Sequence, residues 1–206
     1  MPISLVQQGI ITESEFVKFG VLGSDGELEF SRPATDDDRR DADVHRRGDF
    51  SLGLGFQVKS ALQVGHPWAA DLLHIRFTVL KDRLISHPLF FYFFAYLDVR
   101  IMRLADPVFI VPSAEVHQHA IPHLHGDTWH FDFHASLGPR ANDRWVPYRV
   151  ETLQVGKRIL SIIHDLETSK SLPRPFSDGT LPPPLRRRVG VGGSDLLWAY
   201  RRDAAA

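Results

Sequence analysis

Apolar and polar residues alternate most clearly in three stretches. Ala42 and Val44 are interleaved with Asp41, Asp43 and His45; Leu73, Ile75, Phe77 and Val79 with His74, Arg76 and Thr78; Trp129, Phe131 and Phe133 with His130, Asp132 and His134. Successive side chains of a strand point to opposite faces, so each stretch reads as a strand with one face on a core. Leu28-Glu29-Phe30-Ser31 is a shorter strand closed by Pro33. Arg46 to Asp49 reads as a turn, after which Phe50, Leu52 and Leu54 lead into Phe56-Gln57-Val58-Lys59. Gly53 and Gly55 in that strand mark a bulge or a close backbone approach. Phe90 to Leu97 is aromatic-rich and strand-like, although a buried helix would show the same apolar run. Val108 to Val111 reads as a short buried strand fenced by Pro107 and Pro112.

Three segments carry helical signals. Thr12-Glu13-Ser14-Glu15 matches a capping box, with Thr12 as cap and Glu15 reaching back, opening a short helix through Phe16, Val17 and Phe19 that ends near Gly20 or Gly23. Ser113 is placed to cap a helical turn over Ala114 to Ala120. Leu153, Ile159, Leu160, Ile162, Ile163 and Leu166 form one stripe of an amphipathic helix from about Val150 to Thr168. Beyond Leu172 the composition changes to Pro173, Pro175, Pro182, Pro183 and Pro184, then Arg186-Arg187-Arg188 and Gly190 to Gly193. The expected organisation is one α/β domain over residues 1–170 and a Pro/Arg/Gly-rich tail over 171–206.

Composition removes several classes. A chain of 206 residues with 43% hydrophobic and 24% charged residues has room for a real core. With no cysteine, neither a disulfide framework nor a thiolate metal site is available. A formal net charge of -1 argues against a polycation that coats nucleic acid, while leaving room for a local basic groove. The N-terminus lacks a basic region followed by a long apolar run, and Pro88 to Leu97 is too short to span a bilayer, so a cytoplasmic protein is expected.

The chemistry concentrates between Asp41 and Ser60. If the two strands there pair, Asp43, Gln57 and Lys59 converge at one edge. A carboxylate, an amide oxygen and an ammonium together suit a hard cation and a phosphate.

These residues resemble the PD-(D/E)XK, or restriction-endonuclease-like, nuclease superfamily. Its signature is an Asp on one strand followed by Asp or Glu, any residue, and Lys on the next. Here the pattern is Asp43 and then Gln57-Val58-Lys59, with Gln in place of the usual acid. Mrr-type restriction enzymes carry a similar Gln-X-Lys variant, and small bacterial nuclease-like domains share a QVKS strand. The resemblance covers roughly residues 12 to 120. It implies a single domain with a mixed β-sheet core flanked by helices, and Mg2+-dependent hydrolysis of nucleic acid, foremost DNA. It further implies Asp43 as the anchoring carboxylate, Gln57 as an amide ligand and Lys59 as the group that orients water or offsets phosphate charge. Glu15 or Glu13 on the first helix would complete the set, although capping alone accounts for Glu15. The missing acid at position 57 lowers the charge of the metal cage unless Asp41 compensates. Arg46 and Arg47 would hold the nucleic-acid backbone.

Two other readings stand beside this one. A non-catalytic module on the same fold would bind nucleic acid or protein, and the Gln57 departure gives it weight. Six histidines between His117 and His134, with His123 and His125 on one face of an extended segment, suit a transition-metal protein. Pro122 and Gly126, and the lack of a following acidic ligand, favour a His-rich surface loop instead.

Overall fold

The computed structural model describes residues 3–33, 40–66 and 69–169. The elements run α1 (Leu5–Gly23), β1 (Leu28–Ser31), β2 (Ala42–Arg46), β3 (Gly53–Ala61), β4 (Val64–His66), β5 (Ala69–Leu80), β6 (Phe90–Asp98), β7 (Arg103–Pro112), α2 (Ser113–His119), β8 (His123–His125), β9 (Thr128–Ser136), β10 (Arg149–Val150) and α3 (Val155–Thr168). They form a six-stranded sheet in the order β1-β2-β3-β6-β7-β10 and a four-stranded sheet in the order β4-β5-β9-β8. Among the described residues β3 and β6 pair in parallel, and every other pairing is antiparallel.

The aromatic run of β6 explains this layering. Phe91, Phe93, Ala95 and Leu97 point into one core, with Phe16 and Phe19 of α1 and Ile159, Ile162 and Ile163 of α3. Phe90, Tyr92 and Phe94 point into a second core, with Leu73, Ile75 and Phe77 of β5 and Phe131 and Phe133 of β9. A strand without a polar face must be covered twice. The fold is therefore a mixed α/β arrangement in three layers: helices, large sheet, small sheet. Of the large sheet's two faces, α1 and α3 cover one, while the small sheet, with α2 beside it, covers the other.

Several elements differ from the sequence expectation. Helix α1 begins seven residues before Thr12, at Leu5, because Ser4 and Gln7 form a capping box of their own, with Ser4 N–H donating to Gln7 Oε1 at 2.8 Å. Thr12 lies within the helix, bonded to the Gln8 carbonyl at 2.9 Å and to Ser60 Oγ of β3 at 2.7 Å. Ser113 does not cap α2; the cap position falls on Pro112, which makes no side-chain cap bond, and Ser113 Oγ exchanges hydrogen bonds with the backbone of His87. Phe50 is 80% exposed and β3 starts only at Gly53. β7 contains both prolines that seemed to fence it, and Pro107, which lacks an N–H, sits where the β6–β7 register shifts. Arg149 and Val150 pair with β7, and α3 begins at Val155. His123 to His125 is a strand, turned into β9 through Gly126, whose φ is 57°. The acidic run Asp36 to Asp38 and the tail over 171–206 lie outside the described residues. Among the described residues, no helix is long and apolar enough to cross a membrane.

Two features make the packing testable. α1 and α3 cross at Gly20, Gly23 and Gly156; a Cβ on Gly156 would meet Ser24 N at 2.3 Å and Gly20 O at 2.4 Å. Gly156→Ala therefore forces backbone apart and is expected to lower unfolding stability by about 2–3 kcal/mol, read as a shifted urea midpoint. His117 is fully buried, with Nδ1 2.6 Å from Ser86 Oγ and Nε2 2.8 Å from Tyr92 Oη. Burial drives its pKa down to about 3 from an ordinary 6.5. The unfolded chain takes up a proton there that the folded protein refuses. This stabilisation is complete above pH 6.5 and is lost as pH falls toward 3. His117→Gln should flatten the pH dependence of unfolding stability across that window.

Candidate functional site

The sheet brings an acid and an amine together at the start of β2, one step away from the expected pair. Asp41 lies at a bend just before the strand, so strand alternation does not fix its direction. Its N–H donates to the Phe56 carbonyl at 2.8 Å, and its Oδ2 accepts from the Val58 N–H at 2.6 Å. Asp41 thus grips β3 on either side of Gln57. The same Oδ2 lies 3.7 Å from Lys59 Nζ. Gln57 is 6% exposed, and its Oε1 has no hydrogen-bond partner among the described residues. A buried carbonyl oxygen left without a donor costs on the order of 1–3 kcal/mol, so Gln57, between the two residues whose backbone Asp41 holds, keeps an unused acceptor.

Asp43 sits elsewhere. Its register partner is Gly55, four residues before Lys59 on β3, and Arg40 Nη1 donates to its Oδ1 at 2.7 Å. A Cβ on Gly55 would meet Arg40 Cδ at 2.8 Å, so that glycine is what lets the arginine lie across the strand. The carboxylate expected to anchor a metal is held by a guanidinium, and Asp41 takes the position beside the lysine. Glu15 is engaged by Lys18, one helical turn on. Glu13 is the acid of α1 that shares the electrostatics of the site. Its carboxyl is pushed above the ordinary value by burial and then by the Asp41 carboxylate, while Arg32, at 3.2 Å, and Lys59 pull it down. Arg46 lies at the other end of β2, 3.4 Å from Glu167 of α3, and exposed Arg47 follows it. Neither arginine borders the Asp41 end of the sheet.

The histidine-rich segment splits into unlike environments. His117 belongs to the core. His123 and His125 are exposed on edge strand β8, and the His123 ring stacks on His130 with centroids 5.0 Å apart. Further along the same outer face, His74 and His134 are register partners on β5 and β9. His74 Nε2 lies 2.9 Å from Asp132 Oδ1, which also accepts from Arg76 Nε at 2.7 Å. Burial raises the Asp132 carboxyl, but the hydrogen bonds from His74 and Arg76 outweigh it and hold the group below the usual carboxylate range. Counting histidines along the sequence did not find this group, because His74 comes from a separate strand. The alternation of His74, Arg76 and Thr78 is the signal that could have pointed to it.

Comparison with protein-family models, with curated proteins and with solved structures gives no match.

The coupling at the first site is measurable. Asp41→Asn removes a charge that raises Glu13 and is expected to move its carboxyl toward the ordinary value of 4.5; Lys59→Met is expected to move it further up. An NMR titration of the Glu13 side-chain carboxyl carbon reads both directions.

Proposed function

We propose that the chain is a metal-dependent phosphodiesterase acting on nucleic acid, with a restriction-endonuclease-like core and a site built from Asp41, Gln57, Lys59 and Glu13. The observation that carries this reading is the Asp41 grip on β3 around a buried, unpartnered Gln57 Oε1, with Lys59 Nζ 3.7 Å from the same carboxylate. The acid, the amide-X-Lys segment and the preceding helix match the kinds of residue the resemblance calls for. The position of the acid departs from it, since Asp41 replaces Asp43.

The donor set fits a hard divalent cation. Such ions take oxygen ligands and readily keep water in the remaining positions. Asp41 and Gln57 would hold Mg2+, and the unsatisfied amide oxygen would find its partner there. When bound, the ion supplies Lewis acidity toward a phosphoryl oxygen and lowers the pKa of water. Lys59 offsets negative charge that gathers on the phosphate in the transition state. Glu13, with its carboxyl moved toward neutrality, is suited to take a proton from the attacking water or to hold one. Arg40, lying over Gly55, lines the approach along β2, a role earlier expected of Arg46 and Arg47.

Incubation with single- and double-stranded DNA and RNA, with Mg2+ and with EDTA, tests the reading. Cleavage is expected with Mg2+ alone and should fall by about 100-fold or more in Asp41→Asn and in Lys59→Met, while Asp43→Asn retains most of it. Binding without cleavage by the wild-type chain would instead favour a non-catalytic nucleic-acid module, a reading supported by the missing acid at position 57. Neither binding nor cleavage would end both.

A further inference from the structure

The outer face of the small sheet carries a second constellation that the first site does not use. We propose that His74, Asp132 and His134 form a binding site for a divalent transition metal of the Zn, Co, Ni or Fe(II) class. The three residues each offer one ligand atom, and these atoms lie within 4.8 Å of one another. Two of them, His74 and His134, face each other across a β5–β9 pair, with ring centroids 4.1 Å apart and planes at 87°. Asp132 is the next residue on the same face of β9, opposite Arg76.

The donor chemistry selects the metal. Two imidazoles and one carboxylate match borderline cations and leave positions open for water or a ligand. A four-coordinate ion with bonds near 2.0–2.2 Å holds its ligand atoms roughly 3.3 Å apart, a spacing that lies between the 2.9 Å of the His74–Asp132 contact and the 4.8 Å that bounds the trio. The site rests on two central strands of its sheet, with Ile75, Phe77, Phe131 and Phe133 buried behind it. His134 also lines a surface groove of about 460 Å³ with Asp71, Ser136, Gly138, Arg140 and Asp143. An ion held there would border an open concavity.

Arg76 is the competing group, because its Nε donates to the Asp132 oxygen that a metal would take. Its side chain is 77% exposed, so it can turn into solvent when the ion enters. Removing it should tighten binding, whereas removing a ligand should abolish it. That opposition separates a metal site from a surface ion pair.

The test uses the full chain, stripped with chelator and titrated with Zn2+ by calorimetry and with Co2+ by visible absorption. One equivalent is expected to bind, with His74→Ala, His134→Ala and Asp132→Asn each weakening it by more than about 100-fold. Arg76→Ala should bind at least as tightly as wild type. His123→Ala/His125→Ala and Asp41→Asn should leave the affinity unchanged, which keeps this site distinct from the exposed edge histidines and from the proposed nuclease site. Circular dichroism of each variant establishes that it is folded, and a Zn2+-induced rise in melting temperature, present in wild type and absent in the nearly isosteric Asp132→Asn, gives a second readout. Absence of uptake by wild type overturns the proposal. So does uptake that survives loss of His74 and His134, or that disappears with His123 and His125 or with Asp41.

Discussion

The fold depends on burying a strand that has no water-facing side. From Phe90 to Asp98 only Tyr96 retains appreciable exposure. Each aromatic side chain moved from water into a packed interior contributes on the order of 1.5–3 kcal/mol, and β6 delivers them to both sides in turn. Helices can cover one side; the small sheet covers the other. The parallel pairing of β6 with β3 then fixes where β3 lies, setting Gln57 beside Tyr92 and Lys59 beside Phe94. The polar residues of β3 are thus presented at the margin of a rigid, densely packed sheet, a setting in which small errors of position are resisted.

The site at the β2–β3 end is governed by how charges are shared out. Four cationic or anionic side chains lie close along two strands, and the backbone decides their partners. Gly55 makes room for Arg40, Arg40 occupies Asp43, and the bend before Ala42 turns Asp41 toward β3. What remains is one carboxylate, one lysine, one amide oxygen without a donor and, nearby, a carboxyl displaced upward in pKa. Unsatisfied buried polar atoms are rare in folded proteins, and one on the stretch of β3 that Asp41 holds is more informative than a charge cluster would be.

Much of the strand content was legible, because β2, β5 and β9 each bury one face and so write a two-residue period into the sequence. β6 was ambiguous for the converse reason, since burial on both faces erases the period. The start of α1 was misplaced because Ser4–Gln7 and Thr12–Glu15 carry the same capping pattern, and Leu5, Val6 and Ile10 stay exposed although they are apolar. The candidate site was legible in kind but not in register. Which aspartate meets Lys59 is decided by a bend and by one glycine that admits an arginine. The second sheet was illegible as a sheet, since nothing local tells β5 that its partner is β9. For the same reason His74 was not grouped with Asp132 and His134.

The long excursions between paired strands also shape how the chain reaches this state. β3 ends at Ala61 and its parallel neighbour begins at Phe90; β5 ends at Leu80 and its partner begins at Thr128. Chain entropy must be surrendered to close these loops before the aromatic contacts return anything, which places refolding in the millisecond-to-second regime typical of non-local sheet proteins. During that interval the hydrogen-bonding rows of β3 and β5 stand open to any other extended chain. Concentration during refolding therefore bears on the choice between native pairing and intermolecular association.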